Sequence, residues 1–219
     1  MMRALALAMI LMAAPAAAEP ALGLPQGCAA FLTVQTAQCS VVHKFICAQD
    51  PANWRRAVEI DASGYDFLTV TDTEGQWLEI GDSYAGTYET MAGGTADPPS
   101  LTELMATGAD TYDFEIVDQN GNVTRHVGQD KLSRQSMTVD GTTLLAAATE
   151  MTASDINGTV LWSVTATFHI DAARRLILGG VSHWITPDEA YTTDTTPMAL
   201  ILPGEPGFLS TTAQFGCGG

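Results

Sequence analysis

Residues 39–47 of the chain, CSVVHKFIC, combine the two side chains that most often bind zinc or carry out redox chemistry. Cys39 and Cys47 flank His43, in a sequence with four cysteines and four histidines. An extended strand puts all three residues on one face, but it separates the two cysteines by about 26 Å at about 3.3 Å per residue. Disulfide geometry needs Cα atoms within about 7 Å. We therefore predict neither a Cys39–Cys47 bond nor a metal or redox site in this stretch.

The other histidines and acidic residues form no stronger catalytic or metal pattern. His169 is expected on the solvated face of a strand, with Asp171 at the start of a turn, because a lone histidine rarely identifies a site. The acidic residues between positions 110 and 120 lack the glycine and glutamate positions of a calcium loop and fit a hairpin better. Gly81-Asp82-Ser83 resembles the serine block of GDS-type hydrolases, but an all-β setting favours a loop serine. No catalytic, cofactor-binding or metal-ligating residue is predicted.

Residues 1–18, MMRALALAMILMAAPAAA, have the composition of a secretory signal peptide, with Arg3, an apolar stretch and then small residues. The apolar stretch is shorter than the roughly 20 residues of a spanning helix, and no later stretch approaches that length, so no membrane span is predicted. Glu19 rather than a cysteine follows the expected cleavage site, so no lipoprotein anchor is indicated. We predict a periplasmic or extracellular protein with a single disulfide-bonded, β-rich domain over residues 19–219.

The chain is strongly acidic, with nine Lys and Arg residues against 25 Asp and Glu residues and a formal charge of −16. Loss of Arg3 with the signal peptide changes this charge to −17. An acidic surface repels phosphate backbones and most often serves solubility. We therefore predict that nucleic acid is not a partner.

The four cysteines are expected to form two disulfides, because an even number of cysteines in an exported chain indicates bonded pairs. With the Cys39–Cys47 bond excluded, two pairings remain. One joins Cys28 to Cys39 and Cys47 to Cys217, and the other joins Cys28 to Cys47 and Cys39 to Cys217. We favour the first because it closes the shorter local loop. Either pairing fastens the start of the domain to its end.

Residues 135–184 predict a β-meander. Asp140-Gly141 and Asn157-Gly158 are hairpin-turn dipeptides, because type I′ turns need positive φ. Apolar and polar residues alternate after the second turn, which indicates a strand with one buried face. A short link then leads into a third strand over residues 175–180. The predicted buried face of the middle strand consists of Val160, Trp162, Val164, Ala166, Phe168 and Ile170.

Similar spacing upstream gives roughly nine or ten short strands in total. The predicted fold class is all-β, mainly an antiparallel meander in a curved sheet, half-barrel or barrel, with one or two short helices; α+β is the alternative. The clearest helix begins at a Ser100 capping box with Glu103 and ends near Gly108. Residues 84–99 are expected to form a long surface loop, and the proline-containing residues 184–219 an irregular segment.

Three functional hypotheses follow, none of which requires a cofactor. The first is non-enzymatic binding of an apolar small molecule, a lipid or a protein partner, because a curved sheet offers a concave face. On that face, Trp162, Val164 and Phe168 are candidates for ligand contact or for the core. The layout resembles periplasmic half-barrels that carry lipids and other apolar cargo. The second hypothesis is a structural or accessory subunit of an envelope assembly, and the third is a hydrolase whose dispersed site would include His169 or His183.

Overall fold

A computed structural model describes residues 20–64, 66–83 and 85–218, so the predicted signal peptide lies outside the described residues. The described chain forms one antiparallel sheet of fourteen strands that does not close, together with one short helix. The predicted all-β class with a short helix is therefore confirmed. The number of strands exceeds the expected nine or ten.

The strands pair mainly with their neighbours in sequence. The first half of the chain contains β1 (Cys28–Thr36), β2 (Ser40–Cys47), β3 (Arg55–Asp61), β4 (Asp66–Thr71), β5 (Trp77–Asp82) and β6 (Thr87–Met91). The second half contains α1 (Leu101–Thr107), β7 (Ala109–Asp118), β8 (Val123–Val139), β9 (Thr142–Asp155), β10 (Val160–Asp171), β11 (Leu176–Leu178), β12 (Val181–Ile185), β13 (Ala190–Asp194) and β14 (Pro197–Ile201). The sheet order is β13-β12-β10-β9-β8-β7-β6-β5-β4-β3-β2-β1-β14, and β11 also pairs with β10.

The predicted meander is confirmed from β8 to β11. Asp140 and Gly141 turn the chain between β8 and β9 with φ values of 47° and 76°, as a type I′ turn requires. Val160 is an exception to the predicted buried face: it is 50% exposed, because the β9–β10 register shifts between Val160 and Trp162 at the start of the strand.

Two further hairpins share one turn design. Asp118 and Asp155 each end a strand, and each is followed two residues later by Asn-Gly. The carboxylate of each aspartate accepts hydrogen bonds of 2.8 Å from the backbone N–H groups two and four residues later. The glycines have φ values of 85° and 83°. The acidic residues around Asp118 therefore belong to a hairpin, as the sequence predicts.

Helix α1 has the predicted ends. The Ser100 side chain caps the helix by accepting a hydrogen bond of 3.1 Å from the N–H of Glu103. Gly108 ends it with a φ of 86° and donates its N–H to the carbonyl of Leu104. Leu101 and Leu104 are buried, so the helix packs its apolar side against the sheet.

The prediction of two irregular segments is wrong in part. Residues 84–99 contain β6, which pairs with β5 and β7, and residues 184–219 contain β13 and β14. The prolines do not prevent these strands, because Pro197 is the first residue of β14, a position where a strand tolerates proline. Strands β6 and β13 pair with strands adjacent to them in sequence, and only β14 has a partner distant in sequence, β1.

The sheet curls so that β1 and β14, at one end of the strand order, contact β11, which pairs with β10. Leu32 and Val34 of β1 and Leu200 of β14 share one apolar cluster with Leu176 and Leu178 of β11. The ends of the sheet order, β13 and β14, are connected in the chain by residues 195–196 alone. The concave face consequently borders an interior space.

Residues 202–218, the C-terminal strap, cover the other face of β1 and β2. The N–H of Leu209 donates to the Thr33 hydroxyl at 3.0 Å, and the N–H of Gln214 donates to the Gln35 side chain at 2.9 Å. His43 lies under this strap with no exposed surface. The strap therefore buries polar groups that a free sheet face would expose.

Two disulfides are present: Cys28–Cys47 and Cys39–Cys217. The predicted preference for the other pairing is wrong. Cys28 lies directly opposite Cys47 in the β1–β2 ladder, whereas Cys39 occupies the turn at the far end with a φ of 58°. A strand length separates Cys28 from Cys39, and the strap brings Cys217 to that turn. The N–H of Cys39 also donates to the carbonyl of Phe215 at 2.9 Å.

The disulfides are consistent with an exported protein, because oxidising compartments favour them. Within the described ranges, no helix has the length and apolar character needed to cross a membrane.

Candidate ligand-binding cavity

The concave side of the curled sheet forms a cavity of about 400 Å³, the main cavity. Strands β4 and β5 form one side, β7 to β9 form the back, and β10 to β12 form the other side. Helix α1 lies at one end. The walls are mainly apolar and aromatic because alternate residues of each strand point inward. Inward-pointing examples are Phe67, Trp77, Leu104, Phe114, Val164 and Phe168.

Of the three residues predicted to contact a ligand or belong to the core, two line the main cavity and one does not. Val164 and Phe168 line the main cavity; Val164 is buried, and Phe168 also packs against the cluster around α1. Trp162 lies on the same strand but does not line the main cavity. Its ring instead contacts Trp184, which does line it, at a centroid distance of 5.2 Å.

Trp162 belongs to an aromatic row across the concave face. Neighbouring ring centroids in the row are 5.0 to 6.3 Å apart, which is the range of favourable edge-to-face and stacked contacts. Three of its members, at positions 77, 114 and 184, line the main cavity. In order, the row contains Trp77, Phe114, His126, Trp162, Trp184 and Tyr191.

A polar group sits in the back wall of the main cavity. The Tyr112 hydroxyl lies 3.2 Å from the Asp130 carboxylate and 2.9 Å from the Thr149 hydroxyl. Gly128 is the cross-strand partner of Tyr112, and a Cβ there would come within 2.5 Å of the tyrosine ring. Glycine is therefore required for the ring to lie flat across β8 and reach Asp130.

Asp110 is a second buried acid in this wall. It is the cross-strand partner of Asp130, and it accepts a hydrogen bond of 2.8 Å from the N–H of Ser100. Burial raises the pKa of Asp110 to about 6, with a smaller contribution from the Asp130 charge. Burial also raises the pKa values of Asp130 and Tyr112. All three groups thus favour their protonated forms more than they would in water.

Lys44 is the notable charged residue of the interior. It projects from β2 into the main cavity, on the strand face opposite His43. Burial lowers the pKa of its amine to about 8, although Glu59 opposes that shift. Among the described residues, no group forms a hydrogen bond or ion pair with this amine.

Sequence reasoning overlooked Lys44, because a lone lysine in a strand is usually solvated. A signal was nevertheless present: Lys44 is the only Asp, Glu, Lys or Arg between Cys28 and Asp50. A single charge in such an apolar segment has to reach water, a partner or a cavity.

A second cavity of about 160 Å³ adjoins the main one. Lys44, Phe67 and Leu178 line both. Glu59 lines the second cavity, where its carboxylate accepts a hydrogen bond of 2.6 Å from the Ser40 hydroxyl. Lys44 therefore stands at the boundary between the two spaces.

An end clamp, defined here as Glu74, Arg175 and Thr102, borders the main cavity, which Glu74 and Arg175 line. The Arg175 guanidinium pairs with the Glu74 carboxylate and donates to the Thr102 hydroxyl at 2.9 Å. Glu74 also accepts the N–H of Thr102 at 2.9 Å. Beside the clamp, Gly75 has a φ of 86°, and a Cβ there would meet Ile177 of β11 at 2.6 Å. The clamp fastens the β4–β5 turn to α1 and to the chain entering β11.

The histidines do not assemble a catalytic group. His169 is buried rather than solvated as predicted, and burial lowers its pKa while the nearby Asp194 opposes the shift. Asp171 does mark the turn, but it pairs with Arg174 and not with His169. His183 is exposed and bonds to a threonine on β13. None of the histidines lines the main cavity.

Neither protein-family models nor curated protein sequences nor solved structures produce a match to this chain. Within the part of the chain that the structure describes, no cluster of three or more His, Cys, Asp or Glu side chains could hold a metal ion. The geometry of the two cavities is accordingly the basis for assigning a function.

Proposed function

We propose that this protein binds an apolar small molecule without chemically changing it, in the periplasm or outside the cell. The observation that carries the proposal is the main cavity. Its volume of about 400 Å³ falls within the about 300–1,000 Å³ typical of small-molecule sites. Apolar walls with a few convergent polar groups are the usual composition of such sites.

The polar groups favour binding over hydrolysis. A hydrolase needs a nucleophile, a base in contact with it and a group that orients the base. In the main cavity, the hydroxyls of Tyr112 and Thr149 bond to each other, and no imidazole is close enough to line the same space. Asp130 receives the tyrosine hydrogen bond. This arrangement positions a ring and shapes a wall.

The decisive experiment is binding of N-phenyl-1-naphthylamine, an uncharged dye that fluoresces in apolar surroundings. The wild-type protein is expected to bind it saturably at one site. Ala166 lines the main cavity, so Ala166→Phe should occupy part of that space and weaken binding at least about tenfold, since a steric clash forces repacking.

The matched control is Thr165→Phe on the same strand, because Thr165 is exposed on the opposite face. This variant should bind the dye as the wild type does. Circular dichroism and thermal unfolding confirm that both variants are folded. Dye binding that is unsaturable, or unaffected by Ala166→Phe, would remove the main cavity as the binding site.

Native mass spectrometry of protein purified from its own source tests the proposal without a surrogate ligand. A retained small molecule should appear as a discrete added mass on the wild type and on Thr165→Phe. It should be reduced on Ala166→Phe. An added mass of equal abundance on all three proteins would place the molecule outside the main cavity.

An envelope protein partner is a second candidate, favoured by apolar side chains at one end of the sheet. Ile156, Val160 and Ile185 are 82%, 50% and 60% exposed, and the β10–β12 register brings the last two to the same end. Replacing all three with serine should abolish co-purification with such a partner while leaving dye binding unchanged. Loss of dye binding in that variant would instead connect these residues to the cavity.

A further inference from the structure

We propose that Lys44 binds the anionic head of the ligand, and that the ligand is an apolar molecule with a single carboxylate. This inference depends on the binding function proposed above and names the chemical class of its ligand. The Lys44 amine is the only charged group of the two cavity walls that lacks a bonding partner among the described residues.

Every other charged or acidic group of the walls is already engaged. Arg175 belongs to the end clamp, and its Nε also donates to the carbonyl of Thr73 at 3.0 Å. Asp72 accepts two backbone N–H groups of its own turn. Asp110, Asp130 and Glu59 each accept a hydrogen bond from the protein, as described above. Among the described residues of the walls, a ligand entering the interior finds one charged donor without a bonding partner, Lys44.

The apolar surroundings of Lys44 should strengthen an ionic contact between its amine and a ligand. Apolar residues that line one or both of its cavities include Phe67, Val42 and Leu178. An ammonium group in such surroundings loses hydration, and a carboxylate restores hydrogen bonding and charge balance at once. Glu59 is in range to influence the amine but forms no ion pair with it.

A carboxylate fits this site better than a phosphate. A phosphate monoester carries nearly two negative charges and usually binds several cationic or backbone donors. The described part of the walls provides one cation without a bonding partner and contains Asp110 and Asp130, which would repel a larger negative charge. One ammonium group matches one carboxylate, and the apolar remainder of the ligand fills the main cavity.

Isothermal titration calorimetry at pH 7 with decanoate, 1-decanol and decylamine tests the head-group assignment. The three probes share a chain and differ in the charge of the head. The wild type should bind decanoate at least about tenfold more tightly than 1-decanol, as expected for a charge-assisted hydrogen bond. Decylamine should bind more weakly than decanoate, because Lys44 repels its ammonium group.

Lys44→Met is expected to abolish the preference for decanoate and to change the affinity for 1-decanol by less than about threefold, because methionine keeps an apolar stem of similar length. Lys131→Met is the matched control. Lys131 is the only other lysine in the sequence and is exposed, so its loss removes the same charge from the surface. The decanoate preference should survive this change.

A second measurement covers the case in which Lys44→Met does not fold. Acetic anhydride modifies accessible amines, and mass spectrometry reads Lys44 and Lys131 separately in the wild-type protein. Bound decanoate should protect Lys44 at least about fivefold relative to Lys131, whereas 1-decanol should leave more of Lys44 reactive, because it forms no ion pair.

The outcomes separate this inference from the proposed function. Equal affinity for decanoate and 1-decanol, or a decanoate preference that persists in Lys44→Met, overturns the assignment of Lys44 and leaves binding of apolar molecules intact. Equal protection of Lys44 by decanoate and 1-decanol also overturns it. Absence of binding for all three probes, together with absence of saturable dye binding, overturns both.

Discussion

His126 is a buried imidazole stacked on Phe114 at a centroid distance of 5.0 Å. Burial lowers its pKa from 6.5 to about 4. The unfolded chain therefore binds a proton between these two values that the folded chain does not. The stability associated with neutral His126 is complete above pH 6.5 and is lost progressively as the pH falls toward 4.

His126→Phe should remove this acid sensitivity. We expect the wild type to lose about 2 kcal/mol more free energy of unfolding than the variant between pH 8 and pH 5. Urea unfolding at the two pH values measures the difference. His183→Phe, at an exposed position, is the control and should behave as the wild type. Equal pH dependence in wild type and His126→Phe would contradict the assigned burial.

Asp110 should affect the pH dependence of stability in the opposite direction to His126. Its folded pKa of about 6 lies above the ordinary value of 3.8, so the cost of burying its charge is absent at low pH and develops as the pH rises from 3.8 to 6. Asp110→Asn keeps an oxygen for the Ser100 N–H and removes the charge. The variant should be more stable at pH 8 by on the order of 2 kcal/mol, and this gain should largely disappear at pH 4.

Urea unfolding also measures this gain. Asp113→Asn, whose aspartate pairs with Arg125 outside the cavity, should instead lose stability at pH 8. A destabilised Asp110→Asn at pH 8 would show that the charge itself is needed.

At the scale of single residues, sequence reasoning identified Val164, Phe168 and the four bonded cysteines, but not Lys44 or Asp110. The alternation of side chains along a strand assigns each residue to one of two faces. This assignment was sufficient to predict that Val164 and Phe168 point to the interior. Alternation does not say which face of β2 becomes the interior. That depends on the strap, which covers the His43 face through contacts such as the bond between Thr33 and Leu209, 176 positions apart in the sequence.

The two disulfides close chain loops of very different length. Cys28–Cys47 closes a separation of 19 residues across one hairpin, whereas Cys39–Cys217 closes a separation of 178 residues and holds the strap. If a disulfide stabilises by restricting the unfolded chain, the bond that closes the longer loop adds more to the free energy of unfolding. The expected contributions are about 5 kcal/mol for Cys39–Cys217 and about 3 kcal/mol for Cys28–Cys47. We expect the double variant of Cys39 and Cys217 to alanine to lose more stability than that of Cys28 and Cys47.

Urea unfolding of both double variants measures these losses, and proteolysis provides a second readout. Cleavage within the strap should accelerate only when Cys39–Cys217 is absent. An equal loss of stability in the two variants would show that unfolded-chain entropy does not dominate here.

At the scale of elements, the sequence indicated turns well and edge strands poorly. Three hairpin turns could be predicted because their own residues determine their conformation. Asp140-Gly141 favours positive φ values, and the side chains of Asp118 and Asp155 bond to the backbone of their own turns. Strands β13 and β14 have no such local signal. Pro187 and Pro197 lie in this region and predict irregular chain. The strands form because β12 and β1 have edges with which they can pair.

For the whole molecule, the end clamp joins the β4–β5 turn to α1 and to the chain entering β11, at the border of the main cavity. Arg175→Met should lower the free energy of unfolding by only about 1 kcal/mol, because the ion pair with Glu74 is partly exposed. Its larger effect should be on exchange of the bound dye. Stopped-flow release of N-phenyl-1-naphthylamine should accelerate at least about fivefold if loss of this contact lowers the opening barrier by about 1 kcal/mol.

Arg125→Met is the matched control for the clamp. Arg125 pairs with Asp113 on the outside of the sheet, where its side chain is 56% exposed, so the change removes the same charge without touching the cavity. Dye release from this variant should match the wild type. Unchanged release from Arg175→Met would mean that the ligand leaves by another route. The curl itself could not be predicted from sequence, because it depends on contacts such as Gly75 with Ile177 that no local pattern encodes.

The short connection between β13 and β14 has a kinetic consequence. Strand β1 begins near residue 28, but one of its edges is completed only by β14, after residue 196. Such high contact order slows folding, because a large loop must be closed before the pairing contributes stability. Pulsed hydrogen exchange during refolding should show amides in β14 protected after those of the β8–β9 hairpin. Until that last pairing forms, the nascent fold presents an open β1 edge, so aggregation should compete with folding most strongly in chains truncated before β14.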